Sequence, residues 1–270
     1  MKNYAGPAEI MYHTGLSASM IRGAKYALVP GDPGRVEGLA KALDENALFV
    51  AFHRDYTTWL ARVENAPVLV MSTGMGGPCV TFAVEELARL GVETFIRVGT
   101  TGSIQEDLHL GDVVINTASV RMDGASRAYA PIEFPAAADM DTVLALREAA
   151  EESGIPFKTG ISISTDSFWP GQERYDSFGG YVLKRLQGSL DDFRHLGCTN
   201  YEMENATLFT LCAVLGLKAA SICGVVAKRT DSESVAPHEV YEKAEQRFQD
   251  VVKRALKKMI ARSRSGGNIS

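Results

Sequence analysis

One α/β domain is the fold class the sequence predicts, on three observations. Short β-branched runs alternate with amphipathic stretches, several runs are apolar on both faces, and no linker, repeat or composition break divides residues 20–262. Strands apolar on both faces belong to a sheet sandwiched between helices. The runs are residues 26–29, 67–71, 94–98, 113–118, 160–164 and 219–227. Between them, residues 78–90 open with Pro78 and stop at Gly91, while 141–153 open with an Asp cap and stop at Gly154; both patterns punctuate helices. Residues 206–215 read as an apolar helix. Val240, Ala244, Phe248, Val251, Ala255 and Met259 trace one stripe of a long terminal helix whose other face, rich in Lys, Arg and Glu, is solvated. The domain is expected to span residues 1–262. Residues 263–270, basic, Gly/Ser-rich and aperiodic, are expected to be a disordered tail.

Composition narrows function. The 270 residues are 46% hydrophobic and carry 28 Lys and Arg against 33 Asp and Glu, a net charge of −5. A general electrostatic grip on nucleic acid or anionic membrane is not expected. The four cysteines, at 79, 198, 212 and 223, form no CxxC pair and read as reduced thiols. The first residues lack the apolar core of a leader, and no run approaches the roughly 18 residues of a membrane span, so the expected location is the cytoplasm.

Two glycine motifs fail on inspection. In Gly74-Met75-Gly76-Gly77-Pro78-Cys79 the last small residue of a dinucleotide fingerprint is replaced by Cys79. Gly31-Asp32-Pro33-Gly34-Arg35 lacks the Gly-Lys-Ser/Thr of a P-loop, and there is no H-E-x-x-H or G-x-S-x-G. Other segments carry chemistry. Three strand-end segments each deliver an arginine: Arg35, Arg54 and Arg97. If they converge, they form an anion site. Arg97 interrupts the apolar run Phe95-Ile96-Arg97-Val98, where a guanidinium is costly unless it meets a carboxylate or a phosphate. Gly99-Thr100-Thr101-Gly102 follows, small enough for backbone amides to approach an anion and bearing two hydroxyl donors. In Glu202-Met203-Glu204 the carboxylates point different ways, so one can cap or pair structurally while the other accepts from a vicinal diol. The loop from Phe168 to Tyr175 offers an aromatic face, the Gln172 amide and the Arg174 guanidinium, which can read a pyrimidine edge.

Together these segments resemble the uridine phosphorylase branch of the first nucleoside phosphorylase family. The likeness runs in order through 30–33, His53-Arg54, 72–78, 97–102, 111–113, 119–125, 171–175 and 201–204, covering about residues 10–260. It implies an α/β/α sandwich whose mixed central sheet is partly barrel-like, and reversible phosphorolysis of uridine to uracil and ribose 1-phosphate. Carried over by position, Gly31, Arg35, Arg97 and Thr100 would bind phosphate, with Arg54 reaching in from a neighbouring subunit. His13 would cross the same interface to the ribose 5′-hydroxyl. Met203, Glu204 and Thr101 would hold the ribose, while Thr101, Gly102, Phe168, Gln172 and Arg174 line the uracil pocket, supported by Arg229 and Glu233. Arg97, Gln172, Arg174 and Glu204 would carry the catalysis. The resemblance implies a dimer at least, and a hexamer assembled from dimers.

Two departures qualify the likeness. Purine enzymes of this fold protonate the base with an acid, and Ala227-Lys228-Arg229-Thr230 offers none before Asp231. Relatives can hold a monovalent cation between subunits, but the corresponding residues here are Asp55, Met75 and Cys79, a poorer set for a hard cation, so no metal or other cofactor is expected beyond phosphate as co-substrate. The alternatives are a purine phosphorylase or nucleosidase of the same fold, or a nucleoside-binding protein without turnover. A dinucleotide-dependent dehydrogenase fits least well.

Overall fold

The computed structural model describes residues 2–266. In chain order the elements are α1 (Ala18–Ile21), β1 (Tyr26–Val29), α2 (Val36–Leu43), β2 (Leu48–His53), β3 (Tyr56–Val63), β4 (Ala66–Met71), α3 (Gly77–Arg89), β5 (Thr94–Ser103) and β6 (Val113–Met122). They continue with β7 (Ala136–Ala137), α4 (Met140–Ser153), β8 (Phe157–Thr165), α5 (Ser189–His195), β9 (Asn200–Glu202), α6 (Asn205–Leu215), β10 (Lys218–Lys228) and α7 (His238–Gly266).

One mixed sheet organises them. β1 pairs in parallel with β4 and β5, and β5 with β10; β10 then runs antiparallel to β6, β6 parallel to β8, and β8 parallel to β9. β9 returns antiparallel to β5, so β5, β10, β6, β8 and β9 close into a five-stranded barrel. From β5 the sheet extends open through β1, β4, β3 and β2. The expected sandwich with a partly barrel-like sheet is the observed one.

Alternation along the strands sorts the core. Leu28, Val70, Ile96, Val98 and Ile222 pack with α2, α4 and α7 on one face. Ala27, Val29, Leu69, Met71 and Phe95 pack with α1, α3 and α6 on the other. Since successive side chains point to opposite faces, Arg97 shares its face with Phe95 and is aimed at α6. Barrel closure fills the interior with polar groups: Asn116, Ser162, Asn200 and Asn205 are fully buried and bonded to one another. Buried amides joined in this way fix the register of the strands that carry them.

Three expectations need correction. The cap of α4 is Asp139, whose carboxylate accepts from the Thr142 amide at 2.9 Å, two residues before the expected start. The structure adds a hairpin, β2 and β3, and the short helix α2. α7 runs through Gly266, so residues 263–266 of the expected tail are helical; the rest of that expectation falls on residues 267–270, outside the described residues. Among the described residues no helix is long and apolar enough to cross a membrane.

Candidate active site

Arg97 and Glu204 form the centre. Arg97 is 7% exposed and Glu204 4%. Arg97 Nε donates to Glu204 Oε2 at 3.0 Å and Nη2 donates to the same oxygen, while Glu204 Oε1 accepts from the Gly76 amide at 2.7 Å. The guanidinium lies over Gly99, where a Cβ would fall 1.4 Å from Nη1, so any side chain at 99 would displace the guanidinium from this position. Cys223 Sγ stands 3.7 Å from Nη1. Burial works against the arginine's charge, but Glu204 beside it raises the pKa above the ordinary value, with Glu202 adding to this from 3.9 Å.

The two carboxylates of 202–204 divide as their spacing suggests. Glu202 caps α6: its Oε2 accepts from the Glu204 and Asn205 amides, both at 2.7 Å, and Oε1 accepts from Ser164 and, at 3.1 Å, from Ser162. Anions at a helix N-terminus meet unpaired amides and the positive end of the dipole. Burial pushes the Glu202 carboxyl above its usual value, opposed by Arg97. Glu204 is thereby delivered on a fixed backbone.

A second cluster stands where residues 168–176 meet the segment after β10. Arg174 is 1% exposed, its Cζ 4.2 Å over the Phe168 ring, its Nε 3.5 Å from Gln172 Oε1, and its Nη1 donates to the Glu233 carbonyl. Arg229 donates to the Gln172 carbonyl at 2.9 Å and the Glu173 carbonyl at 3.2 Å, while its buried Nε meets no partner among the described residues. Burial, and then the nearby Arg229, push the Arg174 guanidinium down to about 10. Glu233 accepts from the Tyr175 amide at 3.1 Å and the Asp176 amide at 2.9 Å, joining the segments. Gly102 brings the centre and this cluster together: a Cβ there would sit 3.5 Å from Arg229 Cγ and 3.8 Å from Arg174 Nη2. A cavity of about 240 Å³, lined by Glu173, Tyr175, Arg229 and Glu233 among others, opens beside it. A larger cavity near 1200 Å³ lies at the opposite end, where Tyr26, Thr94 and Lys218 begin β1, β5 and β10. Ligands of open α/β sheets bind at the carboxyl ends of strands, so the larger cavity is not the reaction site.

Other expected residues are placed as follows. Thr100 is half-buried within β5 and Met203 half-buried before α6. The Thr101 hydroxyl is occupied, donating to the Tyr201 carbonyl at 2.6 Å and accepting from Asn200 Nδ2 at 2.7 Å. Gly31 lies beside Gly74, where a Cβ would approach the Gly74 carbonyl to 3.2 Å. Within the single chain the three arginines have separate partners, as Arg54 must if it serves a neighbouring subunit. Arg35 turns to α7, pairing with Glu245 and lying 5.2 Å from the Phe248 ring centre. Arg54 is exposed on the β2–β3 turn, 5.0 Å over Tyr12, in the same patch as His13. The patch holds His53 Nδ1 2.8 Å from the His13 carbonyl and Phe82 stacked on the His13 ring at 4.1 Å.

Asp231 is exposed and paired with Lys228 at 3.3 Å; the Thr230 hydroxyl holds its carboxyl below the usual range, which makes it a poor proton donor. Asp55 and Cys79 both approach Gly74, but burial, and then Asp55, push the Cys79 thiol up. A protonated thiol is a weak ligand for a hard cation, which makes Cys79 the poorest donor of the three residues Asp55, Met75 and Cys79. Sequence reasoning passed over the Gly76 amide, because its glycine run was tested only as a dinucleotide loop. It also passed over Cys223 and Glu86, ordinary core residues until their neighbours are known.

Comparison with known proteins agrees with this arrangement. The model of the phosphorylase superfamily matches residues 25–257. Uridine phosphorylase of Escherichia coli K12 is 49% identical over 223 residues, 83% of this chain and 88% of that protein. The enzyme of the same name from Haemophilus influenzae is 48% identical over the same shares. That of Thermococcus kodakarensis is 46% identical over 78% of this chain and 75% of its own. With a barrel-closed sheet, a buried arginine facing a helix-capping carboxylate pair and a matched region spanning most of its length, the chain belongs to the phosphorylase superfamily.

Proposed function

We propose that this enzyme, a pentosyltransferase, catalyses the reversible phosphorolysis of uridine to uracil and ribose 1-phosphate. The observation that carries the reading is the buried Arg97–Glu204 pair beside the Gln172–Arg174 cluster. Arg97 can pass its donors to a phosphate, releasing Glu204 to accept from the ribose 2′- and 3′-hydroxyls. Met203 and Thr101 flank the sugar, Gly31 and Thr100 flank the phosphate, and Arg35 completes that site by leaving Glu245 for the phosphate. As the glycosidic bond stretches, positive charge grows on the ribose and negative charge on the departing base. Phosphate attacks C1′ from the opposite face, and no enzyme nucleophile is required. Gln172 and Arg174 stabilise the leaving uracil, a role worth about 2.7–4 kcal/mol for one such donor. Arg174 suits it: a guanidinium crowded by Arg229 gains from a new acceptor. The absence of a usable acid at Asp231 favours a pyrimidine over a purine.

Arg54 and His13 serve the neighbouring subunit's site in this reading. They stand within an exposed apolar patch that includes Tyr12, Phe52, Met75 and Phe82, as a surface covered by a second copy would. The assembly is at least a dimer, extending to a hexamer, and works in the cytoplasm without a metal. Ultraviolet absorbance on mixing protein with uridine, with and without phosphate, tests the reaction. Uridine loss only with phosphate, with ribose 1-phosphate formed, is expected. Equal loss in both would make the protein a nucleosidase, and binding without loss would leave a nucleoside-binding protein.

A further inference from the structure

Glu86, in the last turns of α3 and only 7% exposed, gives both carboxylate oxygens to the segment holding His13. Oε2 accepts from the Thr14 amide at 2.8 Å; Oε1 accepts from the His13 amide at 2.9 Å and lies 2.7 Å from His13 Nδ1. Phe82, one turn earlier on the same helix, stacks on the imidazole with an interplanar angle of 21°, and Tyr12 meets the ring edge-on at 4.9 Å. The two amide bonds alone would fasten the loop. The contact to Nδ1 and the stack do something more, because they fix a ring that is still 31% exposed.

An ionised carboxylate only accepts, so the atom facing it must carry a proton. With Nδ1–H committed to Glu86, neutral His13 presents Nε2 as an acceptor, and Nε2 has no partner among the described residues. We propose that Glu86 is the positioning residue that sets the tautomer and ring plane of His13, so that Nε2 accepts from the 5′-hydroxyl of the nucleoside in the neighbouring subunit. The proposal rests on the reading of His13 given above. It differs from a plain staple in one respect: it requires replacement of Glu86 to cost more for substrates with a 5′-hydroxyl than for those without one.

The experiment compares kcat/KM for uridine and 5′-deoxyuridine in the wild type, Glu86→Ala, His13→Ala and the double variant. The wild type should favour uridine by about tenfold, the scale of one hydrogen bond. Each single variant should bring the ratio close to one, and the double variant should lower it no further, because Glu86 acts through His13. Glu86→Asp, which retains a carboxylate, should restore part of the preference. Glu86→Gln, nearly equal in volume, is read in its place should the alanine variant not assemble, and should also narrow the ratio. A ratio unchanged in the Glu86 variants while His13→Ala abolishes it would overturn the proposal and leave the His13 reading intact. No preference in the wild type would sink that reading and the proposal with it.

Discussion

The two halves of the site are built on different principles. The Arg97–Glu204 half stands on the body of β5 and the start of α6, with Glu202, Gly76 and the barrel interior holding it from behind. The Gln172–Arg174 half stands on loops held together by backbone carbonyls: Arg174 on Glu233, Arg229 on Gln172 and Glu173. The first half is a buried ion pair that has only to change partners. The second is two guanidiniums fastened to backbone carbonyls of neighbouring loops. Charge that must be placed accurately is given to elements, and contact that must open is given to loops.

The sharpest way to break that contrast is Arg97→Ala. It removes the phosphate donors and leaves Glu204 and Glu202 buried without their cation. Loss of one partner from a buried pair costs about 3–5 kcal/mol. Phosphate-dependent turnover should disappear in a steady-state assay, with a lower melting temperature by calorimetry. Near-normal turnover would remove the anion site from the mechanism. Gly99→Ala should be nearly as severe, because its Cβ would occupy the place of Arg97 Nη1. The phosphate KM should rise more than the uridine KM; an equal rise in both would mean that Arg97 serves ribose and phosphate alike.

Gln172→Ala tests the loop half. Deleting one transition-state donor lowers kcat by roughly 10²- to 10³-fold, and because Arg174 keeps its bond to the Glu233 carbonyl the melting temperature should fall less than in Arg97→Ala. A variant that lost stability as severely as Arg97→Ala would erase the distinction between the halves.

The element half was the more legible in the sequence, and the reason is physical. An arginine inside Phe95-Ile96-Arg97-Val98 violates burial so plainly that a partner had to exist, and a helix expected from residue 206 put the carboxylates just before its start. The loop half left a composition but no geometry: nothing in Phe168 to Tyr175 foretells that Arg229 would bind its carbonyls. The β2–β3 hairpin was missed for a related reason. Its turn uses Arg54 at φ +55° where glycine or asparagine would normally signal it, and Leu48, Phe49 and Phe52 are exposed instead of alternating with polar residues. That irregularity belongs to a surface expected to meet another subunit. The Asp139 cap was missed because Asp141, two residues on, supplies the same signal.

The smallest expected effect concerns how the loop half closes. Glu233 is partly desolvated, which acts against its charge, yet the Tyr175 and Asp176 amides hold its carboxyl below the usual 4.5. A carboxylate whose pKa is lower in the joined state than in the parted one favours joining while it is ionised. That contribution is present above the ordinary value and is lost as pH falls through the lower one. The uridine KM should therefore rise on the acid side of about pH 4.5 while the phosphate KM, governed by Arg97, stays level over the same range. Glu233→Gln should raise the uridine KM two- to threefold at neutral pH, the scale of about half a kcal/mol for a part-exposed contact, and should flatten its acid rise. Parallel movement of the two KM values, in the wild type or in the variant, would mean that the loops and the Arg97 centre respond as one unit.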